Sequence, residues 1–190
     1  GYVVDAVCPL VTKVHHEVRV RAGKGYRIVY IGHEGHEEAV GTMAVAPEAI
    51  DRVERPEEVA ALPDTGQPVA LLAQTTLSHR DWAGVVDAAK ARFGRIDIMH
   101  YNVGVSVGAG DAPLAQITEE VLDRIFAINL RGAIMAAKHV VPIMREQRSG
   151  VILNISSAAA YEKYPNVSYK ATKVGADTAL AQIVKLVQEA

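Results

Sequence analysis

The sequence predicts an α/β protein built on one doubly wound, mostly parallel sheet of about six strands. Three observations carry that expectation. Short β-branched or apolar runs recur along the chain, stretches with helical apolar spacing lie between them, and Gly, Pro or polar clusters mark most joins. Strands that alternate with helices need crossover connections, which favour parallel pairing with helices on both faces. The expected outcome is a Rossmann-like three-layer sandwich, and the 190 residues, 49% of them hydrophobic, suffice for one full core.

The elements follow in order. Tyr2–Val7 reads as a buried strand ended by Cys8-Pro9, and Val11, Val14, Val18 and Ala22 then recur at helical spacing until Gly23 and Gly25 stop the pattern. Tyr26–Ile31 is the next strand. Gly32–Glu38 is a polar loop at its C-terminal end, where open α/β sheets bind ligands, and it leads into the small-residue segment Ala39–Ala46. Pro47 and Pro56 bracket a weak strand, Ile50–Val53. Pro56-Glu57-Glu58 has the proline and acids of a first helical turn. Val69–Ala73 is a buried strand, Ser78 and Asp81 suggest a helix start, and Trp82, Val85, Val86 and Ala89 share one apolar face.

Ile96–Tyr101 is a further strand, and 104–117 reads as Gly-rich loop. Thr118 is placed to cap a long helix that carries Val121, Leu122, Ile125, Phe126 and Ile128 on one face and runs past Gly132 to about Met144, with Pro142 as kink or stop. Val151–Ile155 is a strand, Ser156–Pro165 a loop, and a last helix is expected over about 167–187.

Composition excludes several function classes. With 20 basic and 22 acidic residues there is no electrostatic footprint for nucleic acid or an anionic membrane surface. No apolar run approaches a membrane span and no leader-like segment opens the chain. Gly1 in place of Met suggests an excised or constructed piece. The single cysteine, Cys8, cannot form an internal disulfide or a multi-thiolate metal site, which fits a reducing, cytoplasmic setting.

Asp5–His15, Ile31–Glu38 and Gln74–Ser78 carry the motifs of the first half. Over residues 2–90 the chain resembles the hydroxymethylbutenyl diphosphate reductases, iron–sulfur enzymes of isoprenoid synthesis. The resemblance implies that Cys8 is one of three cluster ligands, that His36 binds diphosphate, that Glu38 relays protons and that Thr75 lies beside substrate. An imidazole and a carboxylate at strand ends can deliver protons while a thiolate holds iron. A cluster takes three or four thiolates, however, and Glu37 stands where that family has proline.

The second half carries Phe93–Ile98, Asn102-Val103-Gly104, Asn129–Gly132, Asn154–Ser157 and Tyr169–Lys173. Over 92–175 it resembles the short-chain dehydrogenases. The implied tetrad is Asn129, Ser157 (or Ser156), Tyr169 and Lys173, with Asn102, Gly104, Tyr169 and Lys173 toward an NAD(P) cofactor. Tyr169 and Lys173 lie four apart on one helical face, where an ammonium can favour a phenolate and hold ribose hydroxyls. Ser would polarise the carbonyl and Asn129 would hold a relay water. Gly104, Gly108 and Gly110 mimic a phosphate turn, but 111–117 separates them from the next helix, and the usual glycine-rich strand–turn–helix should lie some eighty residues earlier. After Lys173 the likeness fades.

The seam lies at Ala88–Asp97. The sequence therefore predicts a single hybrid α/β domain, with a reductase-like half (1–91) and a dehydrogenase-like half (92–190), that is a constructed, non-catalytic scaffold with neither site complete. No cofactor and no small-molecule ligand are expected. The alternatives are an NAD(P)-dependent oxidoreductase and a module holding a 4Fe-4S cluster. Asn129, on the apolar face of its helix, is expected to be a buried amide without a task, so that Asn129→Leu would be neutral or stabilising.

Overall fold

The computed structural model describes residues 8–77, 79–161 and 163–175. The expected strand Tyr2–Val7, the cap at Ser78 and the stretch 176–190 lie outside them. Among the described residues the order is α1 (Pro9–Gly23), β1 (Arg27–Ile31), α2 (Glu37–Met43), β2 (Ile50–Val53), α3 (Pro56–Ala60), β3 (Val69–Ala73), α4 (His79–Phe93), β4 (Ile98–Tyr101), α5 (Glu119–Phe126), α6 (Gly132–Gln147) and β5 (Val151–Asn154). A last helix, α7, covers 167–175.

The five strands form one parallel sheet in the order β2-β1-β3-β4-β5. Five rather than six is the count among the described residues. Right-handed crossovers explain the layers. The step from β1 to β2 runs one way along the sheet, and the steps from β2 to β3, β4 and β5 run the other. The helices accordingly fall on opposite faces. Val14 and Val18 of α1 and Ala39 of α2 pack on Ile28, Tyr30, Ala70, Leu72 and Ile98. Val59 of α3, Trp82, Val85 and Val86 of α4 and Ala133, Ala137 and Val140 of α6 pack on Val29, Leu71 and Met99. Every residue of β3 and β4 is buried, as strands covered on both faces should be.

Four local expectations are corrected. Ala39–Ala46 is mostly helix, because His36 caps α2 and Glu37 and Glu38 occupy its first turn. The loop 104–117 contains a 3-10 turn at Val107–Ala109. The helix capped by Thr118 is not continuous: α5 passes through a π-helical segment, Ala127–Arg131, before α6. Pro142 does not stop α6, which continues to Gln147. Pro142 is exposed, so water can serve the carbonyl that its missing N–H leaves open.

The join is continuous. α4 crosses residues 88–92 unbroken, and Gly94 turns the chain at a φ of +71°. Asp97 then ties three strands: its carboxylate accepts from Val69 N at 2.8 Å, and its backbone bonds Val69 O and accepts from Val151 N. β3 and β4 pair in register from Ala70↔Ile98 to Leu72↔His100. Among the described residues no helix is long and apolar enough to cross a membrane.

Candidate functional site

Strand order reverses between β1 and β3, and in open α/β sheets the crevice beyond the strand C-termini at such a point is where ligands bind. The reductase-like residues meet there. The polar loop after β1 turns into α2, whose first residues point back over β3. His36 Nδ1 accepts from Glu38 N at 3.2 Å, so the imidazole caps its own helix. The buried Glu38 carboxylate reaches across the crevice to Thr75, accepting from its backbone N at 3.0 Å and from Oγ1 at 2.7 Å. Gln74 Oε1 accepts from His33 N at 3.0 Å. Gly32 admits this approach, since a Cβ there would lie 2.6 Å from Tyr30 Cε1 and 3.2 Å from Gln74 Oε1. Burial first, and the Glu38 carboxylate second, push the Tyr30 phenol far above its ordinary value. A cavity of about 510 Å³ opens here, lined by Cys8, Val11, His15, His36, Glu37, Glu38 and Gly41.

The dehydrogenase-like residues gather one strand further on. Asn129 lies in the π-helical segment, a bulge that aims one side chain inward. Its Oδ1 accepts from Val105 N at 2.8 Å, and its Nδ2 donates to Val105 O at 2.8 Å and Thr172 Oγ1 at 3.2 Å. The expectation of an idle amide is therefore overturned: Asn129 staples the loop after β4 to α7. Lys173 Nζ donates to Ile155 O at 2.9 Å and stands 5.4 Å from the centroid of the buried Tyr169 ring. A Cβ on Gly104 would lie 3.4 Å from Lys173 Nζ. Asn129, Tyr169, Lys173 and Gly104 thus form one group. Ser157 Oγ accepts from Ala159 N at 3.3 Å, capping its own turn. Ser156 and Ser157 line a cavity of about 570 Å³ with Leu10, Lys13, Asn154, Ile155 and Tyr161. Asn102 Nδ2 donates to Leu10 O at 2.7 Å, which pins the first turn of α1 to the end of β4.

The two groups are neighbours, joined where Gly104 N donates to Thr75 O at 2.8 Å. One residue that organises the second group is absent from the sequence reading. Asp111, buried in the loop after β4, accepts from Ser168 N and Tyr169 N, both at 3.1 Å, and so caps α7 from 57 positions away. Its only sequence signal was an acid in a Gly-rich loop.

Comparison with known proteins follows this division. Three curated relatives are 4-hydroxy-3-methylbut-2-enyl diphosphate reductases. That of Bifidobacterium longum is 50% identical over 95 residues, 48% of this chain and 26% of that protein. Reductase 1 of Mycobacterium tuberculosis is 50% identical over 93 residues (48% and 28%), and that of Chlamydia abortus 47% over 94 residues (49% and 30%). The chain thus spans under a third of the length of these relatives. A profile described as short chain dehydrogenase matches residues 33–189. The chain belongs to the short-chain dehydrogenase family. It is at the same time a hybrid, since about half of it is similar to the reductases. A short-chain dehydrogenase from Streptomyces avermitilis shares the fold with a TM-score of 0.65 and 21% identity, over 93% of this chain and 56% of that one. The crystal structure of gox2181 does so with a TM-score of 0.67 and 19% identity, over 93% and 62%. The family match corrects the expected extent of likeness, because it begins at 33 rather than 92 and runs past Lys173 to 189. Successive βα units with the same apolar periodicity satisfy either pattern before the seam.

The dinucleotide that this dehydrogenase family implies does not fit the residues present. A pyrophosphate needs backbone amides at a helix that opens directly from a strand, with glycines to let it approach. The turn from β1 into α2 does carry Gly32 and Gly35, but Glu37 and Glu38 occupy the first turn of α2 and Glu34 N is taken by the Glu54 carboxylate, so that turn repels a polyanion. α4 opens from β3 through Gln74-Thr75-Thr76-Leu77, where Gln74 and Leu77 fill the turn with buried side chains. Gly108 and Gly110 precede α5 at a distance, and α5 begins with Glu119 and Glu120, which repel a polyanion. An iron–sulfur cluster does not fit either. Cys8 is the chain's single cysteine, and no group of three or more His, Cys, Asp or Glu able to hold a metal occurs among the described residues.

Proposed function

We propose that this protein is a non-catalytic hybrid scaffold, engineered by joining βα units from two enzyme families. The observation that carries this reading is that inherited site residues are spent on holding the fold. Asn129 staples Val105 to Thr172, Lys173 reaches Ile155 O, Glu38 clasps Thr75, and Asn102 anchors Leu10. Its single exposed cysteine suits a reducing, cytoplasmic setting. The test is a nicotinamide absorbance assay with NADH and NADPH against a panel of aldehydes and ketones. No turnover above the blank is expected, and turnover lost in Tyr169→Phe would overturn the reading.

A second reading is an NAD(P)-dependent oxidoreductase, which the Lys173 ammonium over the Tyr169 ring favours. Calorimetric titration separates the two. A low-micromolar dissociation constant for either dinucleotide, about 8 kcal/mol of interaction, would establish the second. A third reading, a cluster-binding module, has in its favour that Cys8, His36 and Glu38 line one cavity. Broad visible absorbance with stoichiometric iron and sulfide after anaerobic reconstitution would establish that one, whereas none is expected.

A further inference from the structure

α1 walls three cavities at once. Cys8 at its N-cap and His15 line the cavity that holds Glu38, Leu10 and Lys13 line the one at Ser156 and Ser157, and Lys13, His16 and Glu17 close a third of about 340 Å³. Access to both groups of site residues therefore depends on where this helix lies. Val14 and Val18 hold it to the sheet by apolar burial, and Asn102 Nδ2 pins Leu10 O at 2.7 Å. At its other end the chain leaves through Gly23-Lys24-Gly25, where Gly25 takes a φ of +76° and a Cβ on either glycine would meet nothing within 4 Å. Such a link can absorb a rotation of the helix.

Beneath α1 lies His100. Alternation along β4 turns it to the same face as Ile98, and its neighbours in register are Leu72 and Leu153. It is fully buried, and neither ring nitrogen meets a hydrogen-bond partner among the described residues. The charged and titratable groups that face it all come from α1: Lys13, His16, Glu17 and Arg21. Glu17 is already held by Arg21 at 2.8 Å, so the docked helix offers an imidazolium two cations and no spare carboxylate. Burial first, with Glu17 acting against it and Arg21 and Lys13 with it, pushes the His100 pKa down to about 4. Once α1 lifts, water reaches the ring and a proton binds near the ordinary value of 6.5. Docking is thus intact above that value and weakens as pH falls through the window below it.

We propose that α1 is a lid released by acid, with His100 as the group that senses the proton and Gly23-Lys24-Gly25 as the hinge. The two halves make this device together, because the helix comes from one and the histidine from the other. It operates whether or not either group of site residues is catalytic.

Amide exchange of the full chain at pH 7 and pH 5 is the test, comparing Val14 and Val18 of α1 with Val85 and Val86 of α4 on the opposite face. The α1 amides are expected to be at least about tenfold less protected than those of α4 at both pH values, since the lid opens without the rest of the fold. Their protection should fall about twentyfold between pH 7 and pH 5, the factor that one proton bound in the lifted state supplies. His100→Leu, a change that suits a site between Leu72 and Leu153, should abolish that fall. Asn102→Ala removes the pin on Leu10 and should lower α1 protection by one factor at both pH values. Equal protection of α1 and α4 would overturn the proposal, as would a fall that persists in His100→Leu or α1 protection unchanged in Asn102→Ala.

Discussion

Asn129 holds the loop after β4 through its side-chain amide, a role that no apolar contact could replace. Its position on an apolar helical face announced burial, and it is 2% exposed. What the sequence could not announce is that the amide forms a paired bond with the backbone of Val105. Leucine would remove both partners and leave the half-buried Val105 N–H and C=O without them, at up to about 1–3 kcal/mol each. Asn129→Leu is therefore expected to destabilise by about 2–4 kcal/mol in denaturant titration, and a neutral result would mean that the Val105 loop finds other partners. His100 gives a second expectation. The unfolded chain takes its proton near the ordinary imidazole value of 6.5, the folded chain only near about 4. Stability is thus intact above about 6.5 and falls as pH drops through this window. Integrated over those two to three pH units, the loss amounts to about 3 kcal/mol. His100→Leu should flatten that part of the pH–stability profile, and an unchanged slope would reject the assignment.

At the scale of elements, what was legible followed from period and caps. The strands expected at Val69–Ala73 and Ile96–Tyr101 and the helix starts at Pro56 and Thr118 came from local chemistry alone, and the structure keeps them, the second strand beginning at Ile98. The misses are tertiary in origin. The π-helical segment exists where Tyr101 backs against Gly132 and Asn129 must face Val105, a constraint from strand β4 that no helical window contains. The cap of α7 is likewise remote. Asp111 holds Ser168 N and Tyr169 N, while Val167 N donates to Ala112 O at 3.2 Å, so the loop after β4 fixes where the Tyr169 helix begins. Asp111→Ala is expected to cost about 1–2 kcal/mol, the range for losing a helix cap. It should also raise amide exchange selectively at 168–172, and uniform exchange across α6 and α7 would show that the cap is not local.

The whole molecule turns on whether the seam separates or unites. Strand order was not legible, because the same alternation of strands and helices permits several doubly wound arrangements, and each half alone reads as a complete βα series. The structure places β3 from the first half beside β4 from the second, inside the sheet rather than at a boundary. The larger core mixes both as well: Leu71, Trp82 and Val85 pack with Met99, Ala136 and Val140. Trp82 stands edge-on to Tyr101 across the join, ring centroids 5.7 Å apart. Cutting at residue 91 would uncover the β3 edge, where Asp97 otherwise holds Val69, and would strip α6 from α4. Neither piece then retains a sheet covered on both faces. The 190-residue chain is accordingly expected to unfold in one transition, with calorimetric and van't Hoff enthalpies equal and Trp82 fluorescence coincident with far-ultraviolet dichroism. A fragment of residues 1–91 should be unfolded or aggregated at the same temperature. Two resolved transitions, or a soluble fragment with dispersed amide resonances, would show that α4 is a linker and that the β3–β4 pairing adds little to stability.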